Sequence, residues 1–199
     1  MRNYLKNMKK NFSLFFLFGL ILNLNAQVII PTMELKHNGF VGNDSIKNFV
    51  VIEIPNTPKS ELYKKTLVYL NTIYVNPQKV LTFVENESII INGLTETIKG
   101  SLPWNKYQVF YRISIQFKDG KIKFEPTIKE IVESGTGNIV RNYYVNDKDS
   151  PNPSEINCIW LFNGKDSYFI FNKELKQNTD KWINSYIINL IEGITKNDW

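Results

Sequence analysis

Few residues in this chain are of types that do chemistry. There is one histidine, His37, and one cysteine, Cys158. A zinc site needs several such ligands at defined spacing, so none is expected. A serine or cysteine nucleophile needs a base beside it, and His37 is the only histidine that could serve. It sits in a loop-like stretch and reads as an ordinary surface residue. Cys158 lies in the apolar run Cys158-Ile159-Trp160-Leu161-Phe162 and reads as an inert buried thiol, the alternative being a catalytic or intermolecular one. With no second cysteine, an internal disulfide cannot form. Gly93, Gly100, Gly135 and Gly137 fit neither a phosphate-binding loop nor a dinucleotide fingerprint. Asn146-Asp147-Lys148-Asp149-Ser150 echoes a calcium loop, but Lys148 and the prolines that follow interrupt it. No cofactor and no metal are expected.

Carboxylates need separate treatment, because a glycosidase works with only two. Glu85 with Glu87, and Glu130 with Glu133, are the pairs close enough in sequence to consider. Both read better as solvated surface acids, the first pair beside a turn at Asn86. Trp104, with Lys106 and Tyr107, could form an aromatic platform for a sugar or peptide, or a lid over the edge of the core.

Whatever acts must be positioned by the stretch from Phe49 to Ile131. Phe49 to Ile54 is β-branched, closed by Pro55, and reads as a strand. Thr57-Pro58 predicts a helix start, Thr57 as cap and Pro58 in the first turn. Tyr63, Leu67, Leu70 and Tyr74, widened by Leu62, Tyr69 and Ile73, recur at helical spacing, and Pro77 ends the run. Apolar runs Val80 to Val84, Ser88 to Leu94 and Val109 to Phe117 follow. In the last, Val109, Tyr111, Ile113, Ile115 and Phe117 point one way, and Phe110, Arg112, Ser114 and Gln116 the other. Asp119-Gly120 predicts a two-residue hairpin, returning as Lys121 to Phe124.

Ser60-Glu61-Leu62-Tyr63 opening the helix, Lys118-Asp119-Gly120 followed by alternating basic and apolar residues, and Phe124-Glu125 just after together resemble the bacterial domain of unknown function 4468. The resemblance covers Phe49 to Ile131. Two features depart from it: Tyr69 stands where a tryptophan is expected, and the loop from Thr95 to Tyr107 is particular to this chain. It implies a TATA-box-binding-protein-like fold and carries no activity. The fold class expected is α+β: a curved antiparallel sheet, order β-α-β-β-β-β-α, with two helices on one face. The other face would carry Arg112, Ser114, Gln116, Lys121, Lys123 and Glu125, and would be the candidate contact surface together with Trp104.

The remaining segments fill in around this core. Residues 1–26 read as an export signal: Arg2, Lys6, Lys9 and Lys10 form the basic end, Phe12 to Leu24 the apolar core, and Leu24-Asn25-Ala26 a cleavage site. The apolar run is short of the ~20 residues that span a bilayer, so no transmembrane segment is expected after cleavage. Removing those four basic residues from 24 leaves 20 against 19 acidic, a net of +1. That leaves no electrostatic footprint for nucleic acid. Residues 27–48 read as an extended or looped lead-in. Residues 132–199 read as a loop-rich segment and a last helix, capped by Asn178 or Thr179, with Gly193 as a weak point in its final turns. Trp182, Ile183, Tyr186, Ile187, Leu190, Ile191 and Ile194 give that helix an apolar face. The sequence therefore predicts a periplasmic or extracellular protein that binds a protein, peptide or glycan without catalysis. The alternative is an envelope hydrolase using carboxylates alone.

Overall fold

The computed structural model describes residues 29–43, 46–95, 98–99, 106–134, 140–145, 158–160, 162–163, 169–170 and 173–196. The export signal, Trp104 and residues 146–150 lie outside them. At the centre stand two long antiparallel strands, β7 (Lys106–Lys118) and β8 (Lys121–Ser134), so the core runs three residues past Ile131. They are joined at Asp119-Gly120, where Gly120 has φ +69°. That left-handed conformation favours glycine. On one side of β7 lie β5 (Ser88–Leu94) and then β4 (Leu81–Val84), both antiparallel. On the far side of β8, β3 (Val50–Glu53) pairs with its first residues and β9 (Val140–Tyr144) with its last. Pro126 falls in the interval between those partners, where a missing N–H leaves no described strand unpaired. Short β6 (Ile98–Lys99) pairs with the start of β7, and β10 (Cys158–Trp160) runs parallel to β9.

Helix α1 (Lys59–Ile73) and helix α3 (Lys173–Thr195) lie on the same face of the sheet; a single turn, α2 (Pro77–Val80), leads into β4. With β3, α1, β4, β5, β7, β8 and α3 in order, the expected β-α-β-β-β-β-α sequence is present. The alternation in β7 also holds. Val109, Ile113 and Ile115 are fully buried, Tyr111 and Phe117 nearly so, and Phe110, Arg112 and Gln116 are exposed.

Several local expectations are corrected. Helix α1 carries no side-chain cap from Thr57. Instead the Lys59 amide donates to Asp119 Oδ1 at 2.8 Å, so the β7–β8 turn caps the helix. The buried stripe of α1 is Leu62, Tyr63, Thr66 and Leu70, rotated so that Ile73 stands 43% exposed. Helix α3 starts at Lys173, which puts Asn178 and Thr179 inside it. Thr179 donates to the Leu175 carbonyl rather than capping. Gly193 is no weak point, because a Cβ there would collide with the Tyr69 ring. The glycine lets the aromatic of α1 lie against α3.

The lead-in, expected to be extended or looped, is extended and paired: β1 (Met33–Lys36) and β2 (Gly39–Gly42) form a hairpin. Met33, Leu35, Phe40 and Val41 bury their side chains. The outer edge of β1 is satisfied by side chains of α3. Asn184 accepts from the Met33 amide and donates to its carbonyl, both at 2.9 Å, and Asp180 accepts from the Leu35 amide at 2.7 Å. Lys176, itself buried, donates to Glu34 at 2.7 Å and Asp180 at 2.8 Å. Burial works against the Lys176 ammonium, but these hydrogen bonds outweigh it and hold its pKa above the ordinary lysine value. The hydrogen bond from Lys176 lowers the Glu34 pKa, whereas burial raises that of Asp180. His37 sits in the turn of this hairpin, its Nδ1 buried without a partner among the described residues.

Between the helices and the sheet runs a seam of tyrosines. The Tyr74 hydroxyl lies 2.9 Å from that of Tyr111 and 3.0 Å from that of Tyr186. Trp182 packs on Tyr111 with ring centroids 4.9 Å apart. Burial raises the pKa of all three tyrosines, so each stays a neutral hydroxyl. On β5, Gly93 makes room for the Tyr111 ring, which a Cβ there would strike.

Candidate functional site

The sheet face turned away from the helices is set by register, since residues directly opposite across antiparallel strands share a face. Arg112 lies between Asn92 and Thr127, Ser114 between Ile90 and Glu125, and Gln116 between Ser88 and Lys123. Arg112 and Gln116 are exposed and Ser114 is half-buried. These three expected contact residues thus stand in one row along β7, with Lys123 and Glu125 opposite Gln116 and Ser114 on β8. Trp104 lies outside the described residues.

The face is not uniform along its length. Past the bulge at Phe110/Tyr111 it carries an apolar pair: Phe110 is opposite Leu94, both are exposed, and Glu130 stands on the other side of Phe110. At the hairpin end it is cationic and hollowed. A cavity of about 600 Å³ opens there, lined by Phe49, Val51, Lys59, Glu87, Ser88, Gln116, Phe117, Lys118, Lys121 and Lys123. Its floor follows from register: Val51, Lys123, Gln116 and Ser88 are successive partners across β3, β8, β7 and β5.

Two of the lysines have their charge answered on the spot. Lys121 pairs with Glu53 at 2.8 Å and Lys123 with Glu125 at 2.7 Å. Asn48 donates to Glu125 at 3.0 Å and holds it in place. Lys123 also stands over the Phe49 ring, its Nζ 4.4 Å from the centroid, and Lys47 approaches the same ring at 5.5 Å. An ammonium over an aromatic face is attractive, at about 0.5–1 kcal/mol when exposed.

The acids expected to lie at the surface divide. Glu85 and Glu87 are exposed in the β4–β5 turn. Glu130 and Glu133 do not stand together. Glu130 is opposite Phe110 on the open side, whereas Glu133 is opposite Tyr107 on the core side and 3% exposed. The Tyr107 hydroxyl donates to Glu133 Oε1 at 3.2 Å. Burial of Tyr107 in β7 also removes it from any aromatic platform. Among the described residues, no group of three or more histidine, cysteine or acidic side chains could hold a metal ion. Nor is any helix among them long and apolar enough to cross a membrane.

Sequence reading placed Lys121, Lys123 and Gln116 on this face but missed Phe49, Lys59 and Glu87 as their neighbours. Phe49 arrives through the pairing of β3 with β8, Lys59 through the Asp119 cap, and Glu87 at the β5 end of the cross-strand row. Each of those links joins distant parts of the chain.

This arrangement, a sheet with two helices on one side and the other side uncovered among the described residues, defines an α+β fold of the TATA-box-binding-protein type. Residues 49–128 match the model of a family described as a domain of unknown function (DUF4468) with TBP-like fold. Two solved structures are similar. A TBP-like protein from Parabacteroides distasonis has a TM-score of 0.53 at 14% identity, covering 77% of this chain and 95% of that one. A DUF4468 family protein from Bacteroides ovatus has a TM-score of 0.50 at 13% identity, covering 75% and 86%. At such identities the likeness is one of fold. Among curated proteins, none matches the chain.

Proposed function

We propose that this is an exported, non-catalytic binding module of the bacterial cell envelope, engaging a protein, peptide or glycan with its open sheet face. Export rests on the basic and apolar pattern of residues 1–26. The observation that carries the binding role is the unequal use of the two sides of the sheet. One side is filled by two helices. The other presents Arg112, Ser114 and Gln116 in a row that ends in a cavity walled by Phe49 and lysines. Convergent polar groups around a partly apolar hollow are what a binding site requires. Of the two candidate acid pairs, Glu85 with Glu87 is exposed in a turn and Glu130 with Glu133 is split between faces, so neither is set as a catalytic pair.

In-cell photo-crosslinking tests this reading, with the reactive residue at Ser114 and a control at exposed Val68 on α1. A discrete adduct from Ser114 and none from Val68 is the expected result. Equal labelling from both positions would remove the open face as the binding surface.

A further inference from the structure

We infer that the cavity at the β7–β8 hairpin is a site for a small dianionic ligand with a flat apolar body. The inference rests on the reading of the open face as a binding surface and says what that surface takes at one end. Four lysines line the cavity against one acid, Glu87. Lys121 and Lys123 are already paired with Glu53 and Glu125. Lys59 and Lys118 are different: among the described residues neither ammonium has an ion pair. They come from separate elements, the first turn of α1 and the end of β7, and are brought to one cavity by the turn between β7 and β8. Two cations without an ion pair among the described residues, the Asp119 carboxylate being held by the Lys59 amide instead, attract two anionic groups.

The rest of the lining fixes the remainder of the ligand. Phe49 and Val51 form an apolar wall, with Val51 42% exposed although it is β-branched and in a strand. A ring or short hydrocarbon packed there would cover them. Gln116 and Ser88 on the floor can donate or accept hydrogen bonds. The volume of about 600 Å³ falls within the usual range for small-molecule sites. Lysine recognises anionic oxygen as a point charge, without the planar fork that arginine offers. Carboxylates and phosphates therefore share the required chemistry, and the probes below separate them.

The test is a titration of the isotope-labelled protein at low salt, followed by backbone amide shifts in nuclear magnetic resonance. The probes are benzene-1,3-dicarboxylate, inorganic phosphate and benzylammonium. The expected result is saturable shifts at Val51, Gln116, Lys118 and Lys123 with the dicarboxylate and none with benzylammonium. Lys59→Gln combined with Lys118→Gln should weaken binding by about tenfold or more, with the thermal unfolding curve unchanged. Phe49→Leu should weaken the dicarboxylate more than phosphate. No saturation by low millimolar dicarboxylate, or equal binding by the double variant, overturns the site. Phosphate bound as tightly as the dicarboxylate overturns the apolar part of the assignment. A Ser114 adduct in cells without dicarboxylate binding would sink this inference and leave the binding module standing. Dicarboxylate binding without an adduct would keep the face as a small-molecule site and remove the protein, peptide or glycan partner.

Discussion

Strand β7 has two sides that have been put to opposite uses. On the core side, every second residue from Tyr107 to Phe117 is buried, and even the polar groups, Tyr107 and Tyr111, have hydroxyl or carboxylate partners. On the open side, the intervening residues meet solvent, and an apolar pair, Phe110 with Leu94, stays uncovered. That pair stands at the opposite end of this side from the cavity, where Lys59 and Lys118 have no ion pair among the described residues. The difference teaches that stability is concentrated on one side of the strand, which leaves the other side freer to vary.

Substitutions at neighbouring positions can break or sharpen this contrast. The largest effect is expected from Ile113→Ala, which empties a fully buried site and should cost about 2–5 kcal/mol in chemical denaturation. Next comes Gly193→Ala. On an exposed helix this change stabilises by about 1 kcal/mol. Here the added methyl meets the Tyr69 ring, so a loss of about 1–3 kcal/mol is expected, relieved when Tyr69→Ala is added.

Lys176→Met removes the cation that holds Asp180 and Glu34, with a cost near neutral pH of about 1–3 kcal/mol, discounted for the partial exposure of Glu34. The pH dependence has opposing parts. The lowered Glu34 pKa gives stability above the ordinary carboxylate value, lost as pH falls through the folded value. The raised Asp180 pKa gives stability below the ordinary value, lost as pH rises through the folded one. Without Lys176 the pull that lowers both carboxyl pKa values is lost, so the deficit of the variant should shrink as the pH is taken below about 4. A deficit independent of pH would mean that Lys176 contributes by packing alone.

Asp119→Ala should cost about 0.5–2 kcal/mol through loss of the α1 cap, measured as a lower melting temperature. The smallest change is expected one residue from the largest: Ser114→Ala should stay within about 0.5 kcal/mol of the parent. A greater loss would show that the open side carries stability after all.

What the sequence made legible follows from the reach of each signal. The alternation of β7 and the Asp119-Gly120 hairpin depend on neighbours one to three residues apart, and both were readable. The face of α3 was readable for the same reason, because Ile183, Ile187, Leu190 and Ile194 repeat within one helix. The caps were not. Lys59 is capped by a residue 60 positions away, and no local pattern records that. The β1–β2 hairpin escaped notice because one edge is completed by α3 side chains 145 and 151 residues away. Of the site, the row on β7 could be read from period two, whereas the cavity needed Phe49, Lys59 and Glu87 to be gathered from three other elements.

The tie between β1 and α3 has a kinetic consequence. Met33 and Leu35 find their partners 151 and 145 residues further along the chain. Contacts of such separation carry a large loop-closure cost and slow folding. A chain synthesised from its N-terminus would complete the β1–β2 hairpin long before α3 exists to receive it. The hairpin's four apolar side chains would wait uncovered in the meantime, so docking of the first folded piece is expected to be the last step of folding. A refolding experiment should see the Asp180 and Asn184 contacts appear in the slowest phase, after the β7–β8 pair has gained its protection from hydrogen exchange.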